Sequence, residues 1–425
     1  MSDLGPSPLA ANDEKLSVAQ ARAAIAARLQ PIAGDEEVPL VQALGRVLAA
    51  DVISPIDVPA HDNSAVDGYA FDGAALRADA ALELRAAGTV MAGDASPITV
   101  QPGHCVRIMT GAVMPAGADT VVPLELCQVL NEGAQVRIEP RVLKPGENRR
   151  RRGEDLKRDH PALRSGRLLR PADLGLIASL GIEQVRVKRR LRVALFSTGN
   201  EICTLGEALR PGCVYDSNRF SLMGALQRLG MEVVDLGLVR DDPQALQAAL
   251  QQASVQQADA VLTSGGVSAG DADYTRDVLA QLGEVAFWKI AMRPGRPFAF
   301  GALGGTDKPL WMFALPGNPV AALVTFYVFA RDALIALAGA TPEPLPVLQA
   351  RCATAIRKRP GRTEFQRAIV APAVGGGFEV RLTGSQGAGI LRSMSEANAL
   401  LVLGHEQGSV AAGELVDVWL FDGLV

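Results

Sequence analysis

Histidine and cysteine are both scarce in this chain. The four histidines, His61, His104, His160 and His405, share no paired spacing, and the five cysteines, Cys105, Cys127, Cys203, Cys213 and Cys352, form no CxxC pair. A zinc site built from nitrogen and sulfur ligands therefore has no candidate set, and thiols so widely scattered fit a reducing compartment. Charge of one sign is also lacking. The net charge is -4 and the pI about 5.7, which leaves no whole-chain electrostatic footprint for nucleic acid. Long hydrophobic runs are missing too: the longest, Pro319 to Ala330, stops at Arg331 and Asp332, short of the ~20 residues that span a bilayer. The first residues carry none of the basic start, apolar core and small-residue cleavage site of a secretory signal. A cytoplasmic protein is expected, with no membrane segment and no nucleic-acid partner.

What is present is ample material for packing. Hydrophobic residues make up 48% of the 425 and charged residues 21%, the balance of a globular chain. A chain of that length divides into about two to four packed units. Ser17 with Gln20 fits a capping box ahead of an apolar face at Ile25 and Leu29, and a second short helix is predicted around Leu40, Leu44, Val47 and Leu48. From Val52 the pattern changes to short β-rich runs broken by glycine and proline, and helical grammar returns at Pro171 to Gly181. The β-rich stretch 52–150 thus reads as an insertion into a helical domain made of 14–51 and 151–185. Residues 186–340 alternate strand and helix, which predicts a parallel, doubly wound α/β sheet, with Asp242 and Asn318 as helix caps before Pro243 and Pro319. After Pro342, Pro344 and Pro346, residues 341–425 hold five strand-like runs that suggest a small barrel or sandwich.

Three glycine turns at the ends of apolar runs stand out: Ser197 to Glu201 (STGNE), Ser264 to Asp273 (SGGVSAGDAD) and Pro316 to Pro319 (PGNP). A turn from a buried strand into a helix exposes backbone N–H groups beside the positive end of the helix dipole, and ligands in such sheets sit beyond the strand carboxyl ends. Each turn alone is weak, because strand-to-helix turns often carry glycine for steric reasons. Together they make an oxyanion or phosphate site plausible. Glu201, Asp216, Asp271 and Asp273 supply hard oxygen atoms that suit magnesium better than zinc, while Asp216 and Ser217 read equally well as helix caps. Arg293 and Arg296, in a glycine-proline loop, can hold a tetrahedral oxyanion or simply be solvated. The run Arg149 to Arg152 reads as a solvated face. In the insertion, His61 to Phe71 is largely explained by turn chemistry, and Arg107 to Val122 is unusual for its Thr-Gly pair, Pro-Ala-Gly turn and Asp119 between two strand-like runs.

Taken in order, NSAVDGYA, RIMTGAVMPAGADTVV, RRGED, STGNE, YDSN, SGGVSAGDADYT, RPGRPFAFG and LPGNPVAA, spanning Asn63 to Ala322, resemble the molybdopterin molybdenumtransferase family of the MoeA type, whose eukaryotic relatives include the C-terminal domain of gephyrin. The resemblance covers nearly the whole chain. It implies a helical domain split by a β-rich insertion, a doubly wound molybdopterin-binding-like domain and a C-terminal β-barrel-like domain. It further implies a homodimer in which the inserted block of one subunit faces the doubly wound domain of the other, so that the site is shared between subunits.

The implied reaction inserts molybdate into adenylylated molybdopterin with release of AMP, and requires magnesium. Catalytic roles then fall on Asp67, Thr110, Glu201 and Asp273. Substrate binding falls on Ser197, Thr198, Gly199, Asp216, Ser217, Asn218, Ser264, Gly265, Gly266, Ser268, Arg293, Arg296, Pro316, Gly317, Asn318 and Pro319, and metal binding on Glu201, Asp271 and Asp273. No nucleophilic residue is required where position and electrostatics suffice. This chain departs from the family pattern at Asn200, where an acid is usual, at Asp271, where glutamate is frequent, and at Arg293 and Arg296, where lysines are common and proton donation is lost. Implied partners are a molybdopterin adenylyltransferase and molybdoenzymes. The alternatives are that the chain is itself a molybdopterin adenylyltransferase, against which the inserted block argues, or a non-enzymatic scaffold of the gephyrin type.

Overall fold

The computed structural model describes residues 15–94, 98–266, 278–279, 281–304 and 308–423. A capping box opens the first helix as the sequence predicts: the Gln20 amide donates to Ser17 Oγ at 3.2 Å, the Ser17 amide donates to Gln20 Oε1 at 2.8 Å, and α1 runs Val18–Ala26. Its buried residues, Ala21 and Ile25, pack into the core of the doubly wound domain rather than into the split unit. The Ile32 amide fixes the exit by donating to the Leu337 carbonyl at 2.8 Å.

The second helix expected around Leu44 is a single 3-10 turn, Leu40–Gln42, after which Val47 and Leu48 bridge Leu168 and Val187. The split unit is therefore mixed. It holds one helix, α2 (Pro171–Ser179), and two short antiparallel ladders, Asp35–Pro39 with Gln184–Lys188 and Val52–Ile53 with Pro161–Leu163. Val185 and Val187 bury alternate positions of one strand, the period of a sheet and not of a helix.

The insertion forms a six-stranded sheet in the spatial order Thr120–Pro123, Gly68–Phe71, His104–Ile108, Leu82–Val90, Gln135–Ile138, Gln128–Leu130. Successive residues face opposite sides, so the sheet has a core on each face: Phe71, Cys105 and Val122 on one, Ala70, Val106 and Val121 on the other.

The doubly wound domain is built on β1 (Arg192–Thr198), α3 (Asn218–Arg228), β2 (Glu232–Val239), α4 (Pro243–Val255), β3 (Ala260–Ser264), β4 (Gly283–Lys289), β5 (Pro297–Leu303), β6 (Leu310–Leu315) and α5 (Pro319–Leu337). Its sheet order is β2-β1-β3-β6-β5-β4. The first four strands are parallel, but β5 pairs antiparallel with both β6 and β4 and alone runs against the rest, so the sheet is not parallel throughout. Residues 290–296 and 304–309, which join these strands, are too few for the crossover of about a dozen residues that parallel pairing demands.

α5 corrects the length read from sequence. It continues past Arg331 and Asp332 through a π turn at Phe326–Ala330, so by length and composition alone it could cross a bilayer. Its apolar window is 72% buried inside the protein, making it the core helix of this domain. Asp332 is paired by Arg331 at 2.6 Å and by Arg22 of α1, which allows two charges to sit within an apolar helix.

The C-terminal strands close into a five-stranded barrel: Thr363–Pro372 pairs with Phe378–Leu382, and the ring continues through Leu348–Cys352, Leu415–Leu420 and Ala399–Leu403 back to Thr363–Pro372.

Candidate active site

β1, β3 and β6 are neighbours in register, Ser197 beside Ser264 and Ser264 beside Leu315. Their carboxyl ends therefore release the three glycine turns side by side. The contact is close enough to require glycine: a Cβ on Gly265, whose φ is +101, would stand 2.2 Å from the Thr198 carbonyl oxygen.

Asn218, at the start of α3, ties the turns together. Its Nδ2 donates to Ser264 Oγ and to the Gly317 carbonyl, both at 2.6 Å, and Ser264 Oγ in turn donates to the Pro316 carbonyl at 3.3 Å. Asp216 is buried and accepts from Ser197 Oγ at 2.8 Å, from the Arg219 amide at 3.2 Å and from Arg219 Nε at 2.9 Å; Arg219 also reaches Asp235 at 2.5 Å. Asp216 thus caps α3 and also braces β1, whereas Ser217 makes no side-chain cap bond. Asn318 likewise makes no cap bond to α5, although Asp242 caps α4 through the Ala245 amide at 2.9 Å. Gly317 and Asn318 stay exposed, so the edge is open to a ligand.

Glu201 is exposed and its carboxylate folds back on the chain: a Cβ on Gly199 would meet Oε2 at 2.6 Å. Ser268, Asp271 and Asp273 lie outside the described residues. Among the described residues no three His, Cys, Asp or Glu side chains gather as a metal site, so Glu201 is the only one of the three expected magnesium ligands with a described place.

Arg293 and Arg296 are exposed in the loop between β4 and β5. Met292–Arg293 pairs in parallel with Thr363 and Glu364 of the barrel, which carries Arg293 towards a residue that sequence reasoning missed. Arg367 is 1% exposed. Its Nε donates to Ser393 Oγ at 3.0 Å and its Nη atoms donate to the carbonyls of Ser385, Gln386 and Gly387 at 3.3, 3.3 and 2.9 Å. Burial first, and the neighbouring Arg293 charge second, bring its guanidinium down to about 10, still cationic at neutral pH. The loop it holds reaches the PGNP turn, since the Val320 amide donates to the Ala388 carbonyl at 3.0 Å. Among the described residues this buried cation has no carboxylate partner, and the Arg293 charge lies near it. The one sequence signal was an arginine within a strand whose neighbours are buried.

The second half of the predicted site lies on the inserted sheet. Gly68 pairs with Ile108, so Asp67 and Thr110 leave the same end of adjacent strands. Asp67 Oδ1 accepts from the Thr110 amide at 2.7 Å and from Thr110 Oγ1 at 2.6 Å. These bonds, hydroxyl first, hold the exposed Asp67 carboxyl below its ordinary range. NSAVDGYA and the Thr-Gly turn are knitted together by Gly111 donating to the Ser64 carbonyl at 2.8 Å and Ser64 to the Ala112 carbonyl at 3.0 Å. Among the described residues no hydrogen bond or ion pair joins the Asp67–Thr110 pair to the turns of the doubly wound sheet. The arginine run is a solvated, locally paired face: Arg152 meets Asp57 at 2.6 Å and Arg150 meets Glu154 at 3.3 Å.

A doubly wound domain with an open sheet edge, accompanied by an inserted six-stranded sheet and a five-stranded barrel, defines a multidomain α/β class of protein. Residues 16–181 match the MoeA N-terminal region (domain I and II), residues 194–336 a probable molybdopterin binding domain, and residues 349–421 the MoeA C-terminal region (domain IV). The chain is similar to the molybdopterin molybdenumtransferase of Haemophilus influenzae, 41% identical over 411 residues that cover 96% of this chain and 100% of the relative. It is 38% identical to molybdopterin molybdenumtransferase 2 of Mycobacterium tuberculosis over 90% of this chain and 94% of that one. The crystal structure of the molybdopterin biosynthesis moeA protein from Pyrococcus horikoshii superposes with a TM-score of 0.80 at 28% identity, over 96% of this chain and all of that one. The chain belongs to the molybdopterin molybdenumtransferase (MoeA) family of enzymes.

Proposed function

We propose that this protein inserts molybdate into adenylylated molybdopterin, releasing AMP and yielding molybdenum cofactor. The observation that carries the reading is the pairing of two anion-binding elements at one sheet edge. The glycine turns tied by Asn218 offer backbone N–H groups to phosphate, and Arg293 beside the buried Arg367, which has no carboxylate partner among the described residues, offers charge to an oxyanion. The resemblance of the whole chain to molybdopterin molybdenumtransferases supplies the identity of the ligands. In this reading the protein binds both anions, orients one against the phosphoanhydride of the other and stabilises the charge that develops.

Magnesium belongs to the proposal through Glu201, Asp271 and Asp273, and is tested by loss of turnover on chelation. So does a homodimer in which Asp67 and Thr110 face the sheet edge of the partner subunit. That these two residues are tied to each other, with no hydrogen bond or ion pair to the edge among the described residues, supports that arrangement.

The deciding experiment incubates the purified protein with adenylylated molybdopterin, magnesium and molybdate and follows AMP. Molybdate-dependent release is expected. Release that ignores molybdate, or consumption of ATP with molybdopterin to make the adenylylated form, would overturn the reading in favour of a hydrolase or an adenylyltransferase.

A further inference from the structure

The doubly wound domain opens on a run of bases, Lys188, Arg189, Arg190 and Arg192, and three of these meet further cations around a cavity. The cavity measures about 450 Å³ and lies at the junction with the split unit. Arg46, Lys188, Arg189, Arg190, Arg228 and Arg331 line it, and among the described residues no carboxylate does. Backbone contacts fix its walls: the Lys188 amide donates to the Val47 carbonyl at 2.7 Å and the Gly45 amide to the Leu169 carbonyl at 2.9 Å. A Cβ on Gly230 would stand 3.3 Å from Arg190 Nη1 and 3.5 Å from the Gly45 carbonyl oxygen, and one on Gly339 would stand 3.2 Å from Lys188 Cγ. The ends of α3 and α5 therefore close directly on these bases.

Part of the charge is matched from behind the walls. Arg46, 7% exposed, donates to Glu36 and, at 2.8 Å, to the Lys188 carbonyl. Arg189 forks onto Asp259 at 2.7 and 2.8 Å, and Arg331 meets Asp332 at 2.6 Å. None of these three acids lines the cavity. Arg228 stands in the last turn of α3, where the carboxyl end of the helix favours a cation. Lys188 and Arg190 are left over. Arg190 donates to the Gly230 carbonyl at 2.5 Å, the Lys188 ammonium makes no hydrogen bond, and among the described residues neither meets a carboxylate.

We propose that this cavity binds a diphosphate group, carried by inorganic pyrophosphate or by the phosphate chain of a nucleotide. Like charges crowded around one space repel each other, and an anion between them relieves that repulsion. Guanidinium forks beside a lysine point charge are the groups that recognise phosphate. The volume is more than a single orthophosphate fills and falls within the range of about 300–1,000 Å³ of small-molecule sites. β1, seven residues long, separates the cavity from the glycine turns by roughly 20 Å. The site is therefore distinct from the sheet edge, and it does not rest on the reaction proposed above.

Lys188 is half-buried in the wall, so its acetylation reports occupancy residue by residue. The full chain is acetylated at low salt with and without inorganic pyrophosphate, orthophosphate, ATP and AMP, and each lysine is followed by mass spectrometry. Pyrophosphate is expected to slow labelling of Lys188 about tenfold and to leave the exposed Lys157 unaffected. ATP protecting at lower concentration than pyrophosphate makes a nucleotide the occupant, and the reverse makes it free pyrophosphate; AMP, without a diphosphate, should not protect. In calorimetry the Kd for pyrophosphate should rise about tenfold in Lys188→Gln and in Arg190→Gln and stay unchanged in Arg293→Ala. Lys188 labelled at the same rate in the presence of every anion would overturn the site, whether or not the variants fold. So would pyrophosphate binding that Arg293→Ala abolishes and Lys188→Gln leaves intact, which places the anion at the sheet edge. Orthophosphate protecting as well as pyrophosphate would overturn the diphosphate.

Discussion

Asp67 accepts two hydrogen bonds from Thr110 through a single carboxylate oxygen, at 2.7 Å from the amide and 2.6 Å from the hydroxyl. Among the described residues the second oxygen has no hydrogen-bond partner, and the residue is exposed. One oxygen therefore fixes the side chain while the other is presented outward.

Replacing Asp67 with Ala should lower molybdate-dependent AMP release about 100-fold or more, with thermal stability little changed because the residue is exposed. If the site is shared between subunits, a mixed dimer of Asp67→Ala and Asn218→Ala chains regains activity, since one of its two sites is then intact. Mixing that restores nothing counts against the shared site. The lowered Asp67 carboxyl is ionised at any neutral pH, so it contributes no titration to the rate between pH 6 and 8.

Arg367→Lys keeps the charge but loses the planar fork that spans Ser385, Gln386 and Gly387. The expected outcome is a KM for molybdate raised about tenfold, with a smaller change in the KM for the nucleotide-bearing substrate. Equal rises in both would assign Arg367 to loop architecture alone.

Gly265→Ala places a methyl group 2.2 Å from the Thr198 carbonyl at a φ of +101. The strained backbone and the overlap should together cost about 2–5 kcal/mol, read as a lower midpoint in urea. Gly45 has a φ of +70 with nothing within 4 Å of a built Cβ, so Gly45→Ala should cost only the backbone term of about 1–2 kcal/mol.

Asp173 is buried and accepts from Arg167 Nε at 3.0 Å and from the Arg170 amide at 2.9 Å, where it caps α2. Burial acts to raise its pKa, but the Arg167 and Arg170 bonds prevail and the folded value lies below 3.8. The sign follows: the unfolded chain holds this proton more tightly, so the stabilisation is fully present above the unfolded value and vanishes as pH falls through the folded one. Asp173→Asn should therefore cost about 1–3 kcal/mol at neutral pH, and the gap between variant and wild type should close in acid. A gap independent of pH would remove the charge from the explanation.

Much of the site was legible because it lies in contiguous signals. The PGNP turn is a strand end followed by a helix start, whereas STGNE is a strand end whose chain passes through the short ladder at 202–203 and 214–215 before α3 begins at Asn218, and the capping box at Ser17 and Gln20 is a local pattern that local geometry satisfies. The reading failed where partners are remote in sequence. The helix predicted around Leu44 gave way to bridges with Leu168 and Val187, since tertiary pairing outweighed weak helical propensity. α1 was assigned to the split unit, but its apolar face is taken up by the core around α5. Arg331 and Asp332 looked like the end of a run, and only the pairing of Asp332 with Arg22 and Arg331 shows how the helix carries on.

The sequence by itself determined the order of units, the three glycine turns, the open strand ends and the family, because each is written in residues close together along the chain. Only the tertiary structure decided which of these meet. Sheet order set β1, β3 and β6 side by side, so that a single amide at Asn218 could tie two turns. The barrel's pairing with Met292–Arg293 brought in Arg367, and a two-residue parallel ladder set Ile202 and Cys203 beside Val214 and Tyr215. The physical reason is common to all three: hydrogen-bond register between strands is fixed by burial across the whole sheet, and no local pattern encodes the neighbour that burial selects.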